Sequence, residues 1–270
     1  MRPPIGYAPA MLIERIWTGN AYRNFHYLVA CRETGEALAV DPLEWRLCLA
    51  AARKRGWTIT QILNTHEHGD HTGGNAGLVS ATGAKLLAHS AARIPGVDRG
   101  LAAGEVIRVG RLDLECLDTP GHTLAHVCLF SHDDRPALFS GDTLFNAGAG
   151  NCHNGGDPER LYETFSRILA RLPDETRIYP GHEYLSRNLA FTLDREPDNE
   201  AARALLTAVR SVEPAEVPVT TLADEKRINT FLRLDSPALI ERLRETDADL
   251  GAHPSARTVF IRLRKLRNTW

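Results

Sequence analysis

Thr65-His66-Glu67-His68-Gly69-Asp70-His71 gathers three imidazoles and two further carboxylate-bearing side chains within six residues. The run before it, Trp57 to Asn64, alternates in part and reads as a strand; Gly73 and Gly74 lie just beyond. The sequence predicts a strand running into a tight loop, with polar side chains collected at the strand's C-terminal end. Open α/β sheets place their ligand sites there. Imidazole and carboxylate suit zinc, iron or manganese. A solvated His-rich turn is the weaker reading of so dense a cluster.

Working outward, three more loops follow predicted strands and offer the same chemistry. Thr119-Pro120-Gly121-His122-Thr123 presents His122, Ser140-Gly141-Asp142-Thr143-Leu144-Phe145 presents Asp142, and Tyr179-Pro180-Gly181-His182-Glu183 presents His182. In each, glycine precedes the polar residue, so the backbone can turn sharply. Each loop alone reads as an ordinary strand-end turn; the joint pattern overturns that. His66, His68, Asp70, His71, His122, Asp142 and His182 are too many donors for one tetrahedral zinc. They suit two metals sharing a bridging carboxylate. His26, His89, His132 and His253 stand alone and read as surface or core residues. His126, four residues after His122, reads as a supporting or core residue rather than a ligand.

The remaining segments place these loops. Met11–Trp17 reads as a first strand. Phe25–Cys31 pairs with Ala37–Asp41 as a hairpin, Glu105–Val109 with Leu112–Leu117, and Val127–His132 with Ala137–Ser140. Helices are expected over Leu43–Arg55, Asn75–Thr82 and Pro158–Leu172, and short strands over Lys85–His89 and Arg177–Tyr179. After His182 strand signals fade. Asn188–Arg195, Glu200–Val212, Ala223–Leu232, Pro237–Arg244 and Ala256–Arg267 favour helix, with proline-containing breaks between several of them. The expectation is an α/β domain over residues 1–180, two mixed sheets packed between helices, followed by a helical domain over 181–270.

Composition excludes several classes. The 270 residues carry a net charge of −2, which gives no global affinity for polyanions. No apolar run approaches the ~20 residues of a membrane span. The first ten residues hold prolines and one arginine rather than the apolar core of a secretory leader. Five cysteines, an odd number with no CxxC, read as reduced thiols, and the protein is expected in the cytoplasm.

The strings THEHGDHTGGN, TPGHT, SGDTLF and PGHEY resemble the metallo-β-lactamase superfamily. Together with TLADE and the downstream Asn229 and Phe231, they resemble the hydroxyacylglutathione hydrolases (glyoxalase II) more closely. The resemblance runs from about Met11 to the C-terminal residues. It implies an αββα sandwich with a C-terminal all-helical domain. It also implies two divalent metals, zinc first, with iron or manganese open. His66, His68 and His122 would hold one ion and Asp70, His71 and His182 the other, with Asp142 bridging. Asp70 and Asp142 are the implied catalytic carboxylates. The implied reaction is hydrolysis of a glutathione thioester such as S-lactoylglutathione, the family's part in methylglyoxal detoxification, with Tyr184, Arg264 and Arg267 gripping the tripeptide. The loop Asn146 to Gly156 departs from the family pattern. Asn151 and His153 stand where a basic and an aromatic residue are usual, so hydrogen-bonding groups remain but the fixed cation is gone. Thr230 stands where proline is usual.

Three rival readings set the comparison. A persulfide dioxygenase would use a single iron. A hydrolase of another thioester or lactone would keep both metals. A regulatory member would have a decayed site, against which the full donor set argues. Nucleic-acid binding is weaker, since no aromatics interleave the basic residues of the last helix.

Overall fold

The computed structural model describes residues 10–247 and 249–270; the proline-bearing stretch 1–9, read above for a leader, lies outside the described residues. The first sheet has six strands in chain order: β1 (Met11–Trp17), β2 (Phe25–Cys31), β3 (Glu36–Val40), β4 (Thr58–Leu63), β5 (Lys85–His89) and β6 (Arg99–Leu101). Its first three strands are antiparallel and the rest parallel. The second sheet has the order β13-β10-β9-β8-β7, from β7 (Val106–Val109), β8 (Leu112–Asp118), β9 (Val127–Ser131), β10 (Ala137–Gly141) and β13 (Arg177–Pro180). β10 pairs antiparallel with β9 and parallel with β13. A two-strand ribbon, β11 (Leu144–Phe145) and β12 (Gly148–Ala149), follows β10.

Burial follows the pattern that side-chain chemistry demands. Every residue of β2, Phe-His-Tyr-Leu-Val-Ala-Cys, is buried, as befits a strand covered on both faces. At the sheet edge, β7 alternates exposed and buried. Between the sheets lies one apolar cluster that includes Val29, Leu38, Leu63, Leu114, Leu129 and Phe139. The outer face of the first sheet packs on α1 (Trp45–Arg55) and α3 (Asn75–Thr82) through Cys48, Ala52 and Leu78. The outer face of the second packs on α4 (Pro158–Arg167), α8 (Pro237–Arg244) and α9 (Ala256–Arg267) through Leu161, Phe165, Leu239 and Phe260. The layers are therefore helix, sheet, sheet, helix. Helices α5 (Leu185–Arg195), α6 (Glu200–Val209) and α7 (Leu222–Ile228) complete the C-terminal part.

Local signals explain most boundaries. Asp157 caps α4 by accepting from the Glu159 N–H at 2.7 Å, with Pro158 in the first turn. Gly56 and Gly83, both at φ +70°, end α1 and α3 in the left-handed conformation. Five helix expectations shift by more than one residue, the first being the start expected at Leu43, which lies at Trp45. The helix expected to reach Leu172 stops at Arg167, followed by a 3₁₀ turn over Leu169–Arg171. The helix expected from Asn188 begins at Leu185, and the one expected to run to Val212 ends at Val209. The segment 223–232 breaks at Asn229, whose backbone is extended while its side chain accepts from the Phe231 N–H at 3.1 Å. The 3₁₀ turn that follows opens on Thr230, whose buried hydroxyl has no partner among the described residues. β6, β11, β12 and the single-turn α2 (Gly69–Thr72) carry too few residues for a periodic signal.

The C-terminal part is tied to the sheets. Arg15 of β1 donates to the Ala215 and Val217 carbonyls at 2.9 and 2.7 Å, and Arg177 of β13 forms a bridge with Thr221. Cys31, Cys48, Cys116 and Cys128 are buried and Cys152 is half-buried, none of them in a disulfide. No helix among the described residues is long and apolar enough to cross a membrane.

Candidate metal centre

All four polar loops leave the C-terminal ends of strands. β4 delivers His66, His68, Asp70 and His71; β8, β10 and β13 deliver His122, Asp142 and His182. The two sheets are stitched together at this edge. The Thr65 carbonyl accepts from the Val127 N–H at 2.8 Å, and the Gly181 carbonyl from the Phe25 N–H at 2.8 Å. Close approach also requires glycine. A Cβ on Gly150 would lie 1.8 Å from the Asp142 carbonyl oxygen, and one on Gly181 2.5 Å from Asp142 Oδ1.

The seven side chains converge into overlapping groups: His66, His68 and His122; His66, His71 and Asp142; Asp70, His71 and His182. Within each group the ligand atoms lie within 4.8 Å of one another. Asp142 is central. Its Oδ1 lies 3.5 Å from His71 Nε2, and its Oδ2 lies 3.5 Å from His122 Nε2 and 3.2 Å from His182 Nε2. Asp70 Oδ2 reaches His71 and His182 at 3.6 and 3.4 Å.

The outward-facing nitrogen of every imidazole has a fixed partner. His122 Nδ1 donates to the Asn151 carbonyl at 2.6 Å, His182 Nδ1 to the Tyr22 carbonyl at 2.7 Å, and His68 Nε2 to the Asn154 carbonyl at 3.0 Å. His71 Nδ1 donates to Asp41 Oδ2 at 3.0 Å. The Thr65 hydroxyl donates to Asp41 Oδ2 at 2.7 Å and so accepts from His66 Nδ1 at 3.0 Å. These partners place the ring proton on the outward nitrogen and leave a lone pair on the inward one. With the rings neutral, as metal binding requires, the inward nitrogens meet with no proton between them. His68 Nδ1 lies 3.1 Å from His66 Nε2 and 3.0 Å from His122 Nε2, and His71 Nε2 lies 3.2 Å from His182 Nε2. Facing lone pairs at that distance repel unless a cation lies among them. The buried Asp142 Oδ1, without a hydrogen-bond partner, lacks the same counterpart. The donor set therefore fits two cations.

Electrostatics agree. Burial holds the pKa values of His66 and His122 below the usual imidazole value. Burial opposes charge on His71 too, but with no ion beside the ring Asp142, Asp41 and Asp70 outweigh it and push the pKa up to about 9, so a proton takes the place that a cation would fill. Burial resists charge on Asp142, yet the surrounding histidines hold its carboxyl well below the usual range. The cluster favours positive charge at its centre.

Two supporting residues carry no motif of their own. Asp41, buried at the end of β3 with φ +51°, accepts from the Thr65 N–H at 2.8 Å besides the two bonds above. An acidic residue at a strand exit just before Pro42 was the available signal. His126, fully buried, stacks on His66 with centroids 5.2 Å apart and accepts from the Asp142 N–H at 3.2 Å. It supports the centre, as its position on a segment turning into a strand implied.

Beside the centre is a pocket of about 280 Å³ whose wall includes Asn151, His153, Tyr184, Arg264 and Arg267, all read from the sequence, together with Phe145 and Arg187. The Tyr184 ring stacks on His182 at 5.2 Å, and its hydroxyl donates to the Tyr22 carbonyl at 3.1 Å. Asn151 and His153 are exposed. The TLADE string is explained here. Thr221 and Asp224 form the capping box of α7, while buried Glu225 accepts from the Ala147 N–H at 2.8 Å and the Thr220 hydroxyl at 2.6 Å. Asn229 donates to Glu225 and to the Gly148 carbonyl. The helical part thus holds the loop that leads from Asp142 to the pocket.

Two sheets between helices, with histidines and aspartates at one strand-end edge, define the metallo-beta-lactamase superfamily, and the sequence profile of that superfamily matches residues 33–182. A second profile, the hydroxyacylglutathione hydrolase C-terminus, matches residues 183–270. The chain belongs to the hydroxyacylglutathione hydrolase family of that superfamily. A hydroxyacylglutathione hydrolase of Polaromonas sp. is 66% identical over 96% of this chain and 100% of its own length, and one of Nitrosococcus oceani is 64% identical over the same shares. Among solved structures, ETHE1 from Myxococcus xanthus aligns with a TM-score of 0.64 at 25% identity, covering 95% of this chain and 98% of that one. TTHA1623, solved in a di-iron-bound form, aligns with a TM-score of 0.59 at 28% identity over 81% of this chain and all of that one.

Proposed function

We propose that this chain hydrolyses the thioester of an S-(2-hydroxyacyl)glutathione such as S-lactoylglutathione, using two divalent metal ions. Family membership supports the reaction class, and one observation carries the two-metal reading: five imidazoles turn ring nitrogens toward a shared centre that also holds Asp142. His66, His68 and His122 would hold one ion, and Asp70, His71 and His182 the other, with Asp142 between them. When bound, such a pair acidifies a water molecule and polarises a carbonyl near neutral pH.

The chain's own groups do the rest. Asp41 and the Tyr22, Asn151 and Asn154 carbonyls fix the histidine tautomers, so no ring must reorient during turnover. Asp70, the least buried carboxylate of the cluster, is placed to accept a hydrogen bond from the attacking water. The water oxygen bonds to the acyl carbon as the carbon–sulfur bond breaks. The thiolate, whose conjugate thiol has a pKa of about 8–9, leaves without a strong general acid. Tyr184 and Phe145, edge to face at 5.3 Å, shield the side of the centre facing the pocket. In this reading residues 1–180 carry every metal ligand except His182, and 181–270 add His182 and most of the wall that grips the thiol. The protein works in the cytoplasm, with zinc, iron or manganese in the centre.

A single-iron dioxygenase would leave the Asp70, His71 and His182 group without an ion, which favours the hydrolase. A hydrolase of another thioester is the second reading, and Asn151 and His153 favour it because neither brings a fixed cation to the pocket. Metal analysis and kinetics on S-lactoylglutathione decide. Efficient turnover with about two metals per chain is expected, and His66→Ala should abolish both turnover and full metal loading. Near-normal turnover by His66→Ala would sink the assignment; two metals with negligible wild-type turnover would transfer it to a different thioester.

A further inference from the structure

The pocket beside the metal centre is lined by three arginines and no carboxylate. Hydrogen bonding separates their roles. Arg264 is buried and donates from Nη1 to the Ala149 and Gly150 carbonyls at 2.7 and 3.0 Å, and from Nη2 to Asn268 Oδ1 at 3.0 Å. Its guanidinium builds the wall. Arg267 lies against the rings of Phe191 and Trp270, 5.6 and 5.5 Å from their centroids, with Nη2 on Asn188 Oδ1 at 3.3 Å. Arg187 is exposed and bonds an oxygen of Trp270, the last residue of the sequence, at 3.2 Å; among the described residues no aspartate or glutamate side chain pairs with it.

Among the described residues no acidic side chain offsets Arg187. It is the third residue of α5, whose first turn holds no acid. A helix N-terminus is the positive end of the dipole, so a cation there raises the local potential. Nearby Glu183 does not offset it, since its carboxylate pairs with Arg23 and accepts from the Leu185 N–H at 3.0 Å. Burial, and then the charge of Arg187, lower the pKa of Arg267, so the two guanidinium groups sense each other. Two guanidinium groups facing one cavity whose wall holds no aspartate or glutamate favour an anionic ligand there. The loop residues of the wall, Asn151 and His153, bring no fixed cation, so the charge on that ligand must be read from α5 and α9.

We propose that Arg187 is a specificity-determining residue: it pairs with a carboxylate of the thiol portion of the substrate and, with Arg267, selects a thiol bearing carboxylates over a neutral one. The proposal rests on the reading of this site as a glutathione-thioester hydrolase and assigns the cation missing from the loop at Asn151 to the neighbouring helix. Arginine suits the role because its planar fork meets a carboxylate with two hydrogen bonds.

The test is calorimetric binding of S-methylglutathione, a thioether with no scissile bond, and of its dimethyl ester, by the metal-loaded wild type, Arg187→Gln and Arg187→Lys. Kinetics on S-lactoylglutathione run alongside. Arg187→Gln should weaken binding of the free acid about five- to tenfold and raise KM more than it lowers kcat. Arg187→Lys should recover part of the loss, and the ester should bind the wild type and Arg187→Gln alike. Equal losses on acid and ester, or no loss on either, would overturn the role of Arg187 while leaving the hydrolase reading intact. Wild-type protein that binds the thioether through Arg187 but does not hydrolyse S-lactoylglutathione would overturn the hydrolase reading and leave Arg187 as an anion reader. Wild-type protein that neither binds nor hydrolyses would overturn both.

Discussion

Asp41 accepts three hydrogen bonds, from the Thr65 N–H, the Thr65 hydroxyl and His71 Nδ1, and through them fixes two of the histidines. Replacing it by alanine leaves three buried donors without an acceptor and frees the His71 ring. Asp41→Ala should therefore weaken metal binding about 10–100-fold, read by competition with a calibrated chelator. Asp41→Asn should lose less, since asparagine tolerates the positive φ of that position and still accepts from one donor. Wild-type metal affinity in Asp41→Ala would show that the tautomers are set by something else. The contrast with His66, His68 and His71 shows what a sequence reveals at this scale. Those residues sit in one dense string, and His122, Asp142 and His182 each follow a glycine at a strand exit. Asp41 leaves a strand in the unremarkable string Ala-Val-Asp-Pro, and Arg187 lies in a helix whose sequence gives no hint of the cavity beside it. A side chain that stands in no cluster and follows no glycine turn carries at most a weak local signature, however many partners other strands and helices bring to it.

Helix α7 shows how an element can carry a titration. Glu225 is fully buried, and burial pushes its pKa up to about 7, against the hydrogen bonds from Thr220, Asn229 and Ala147 that favour the carboxylate. Its folded pKa thus lies above the unfolded value of 4.5. The native state binds more protons between those values, so this group's contribution to stability is complete below pH 4.5 and is lost as pH rises through 7. The shift corresponds to an effect on the order of 3 kcal/mol. Glutamine mimics the protonated acid, so the stability of the wild type relative to Glu225→Gln should fall between pH 5 and pH 8, measured by urea denaturation at both. A difference that stays constant over that range would mean that Glu225 is ionised throughout. Elements with long periodic sequences or marked ends were legible: the three hairpins, the Pro158 start of α4 and the glycine ends of α1 and α3. The break at Asn229 was not, because its side chain cap competes with a helix that the flanking residues would otherwise continue.

For the whole molecule, the metal centre acts as a clasp between two sheets. Its donors come from β4 of one sheet and from β8, β10 and β13 of the other. Ions bound only in the folded state raise stability by mass action. Chelation should lower Tm by about 10 °C for a chain of this size when metal is in large excess over Kd, and re-adding the ion should restore it. A Tm indifferent to chelation would mean that the sheets hold the edge together without help. The layered architecture was legible because hairpins and interspersed helices leave few ways to bury their apolar faces. The strand order was not, since the parallel pairing of β10 with β13 joins segments separated by the ribbon and α4. One contact of that assembly bears on the order in which it is made. The Ala149 carbonyl, just past Asp142, is held by a guanidinium 115 residues further along the chain. At about 5–20 residues per second, a ribosome releases that loop roughly 6–23 s before its anchor exists. Strand pairing and rigidity of the centre are thereby separated in time: the nascent chain can present its histidines to passing ions while the loop is still free, and the last helix locks the arrangement afterwards.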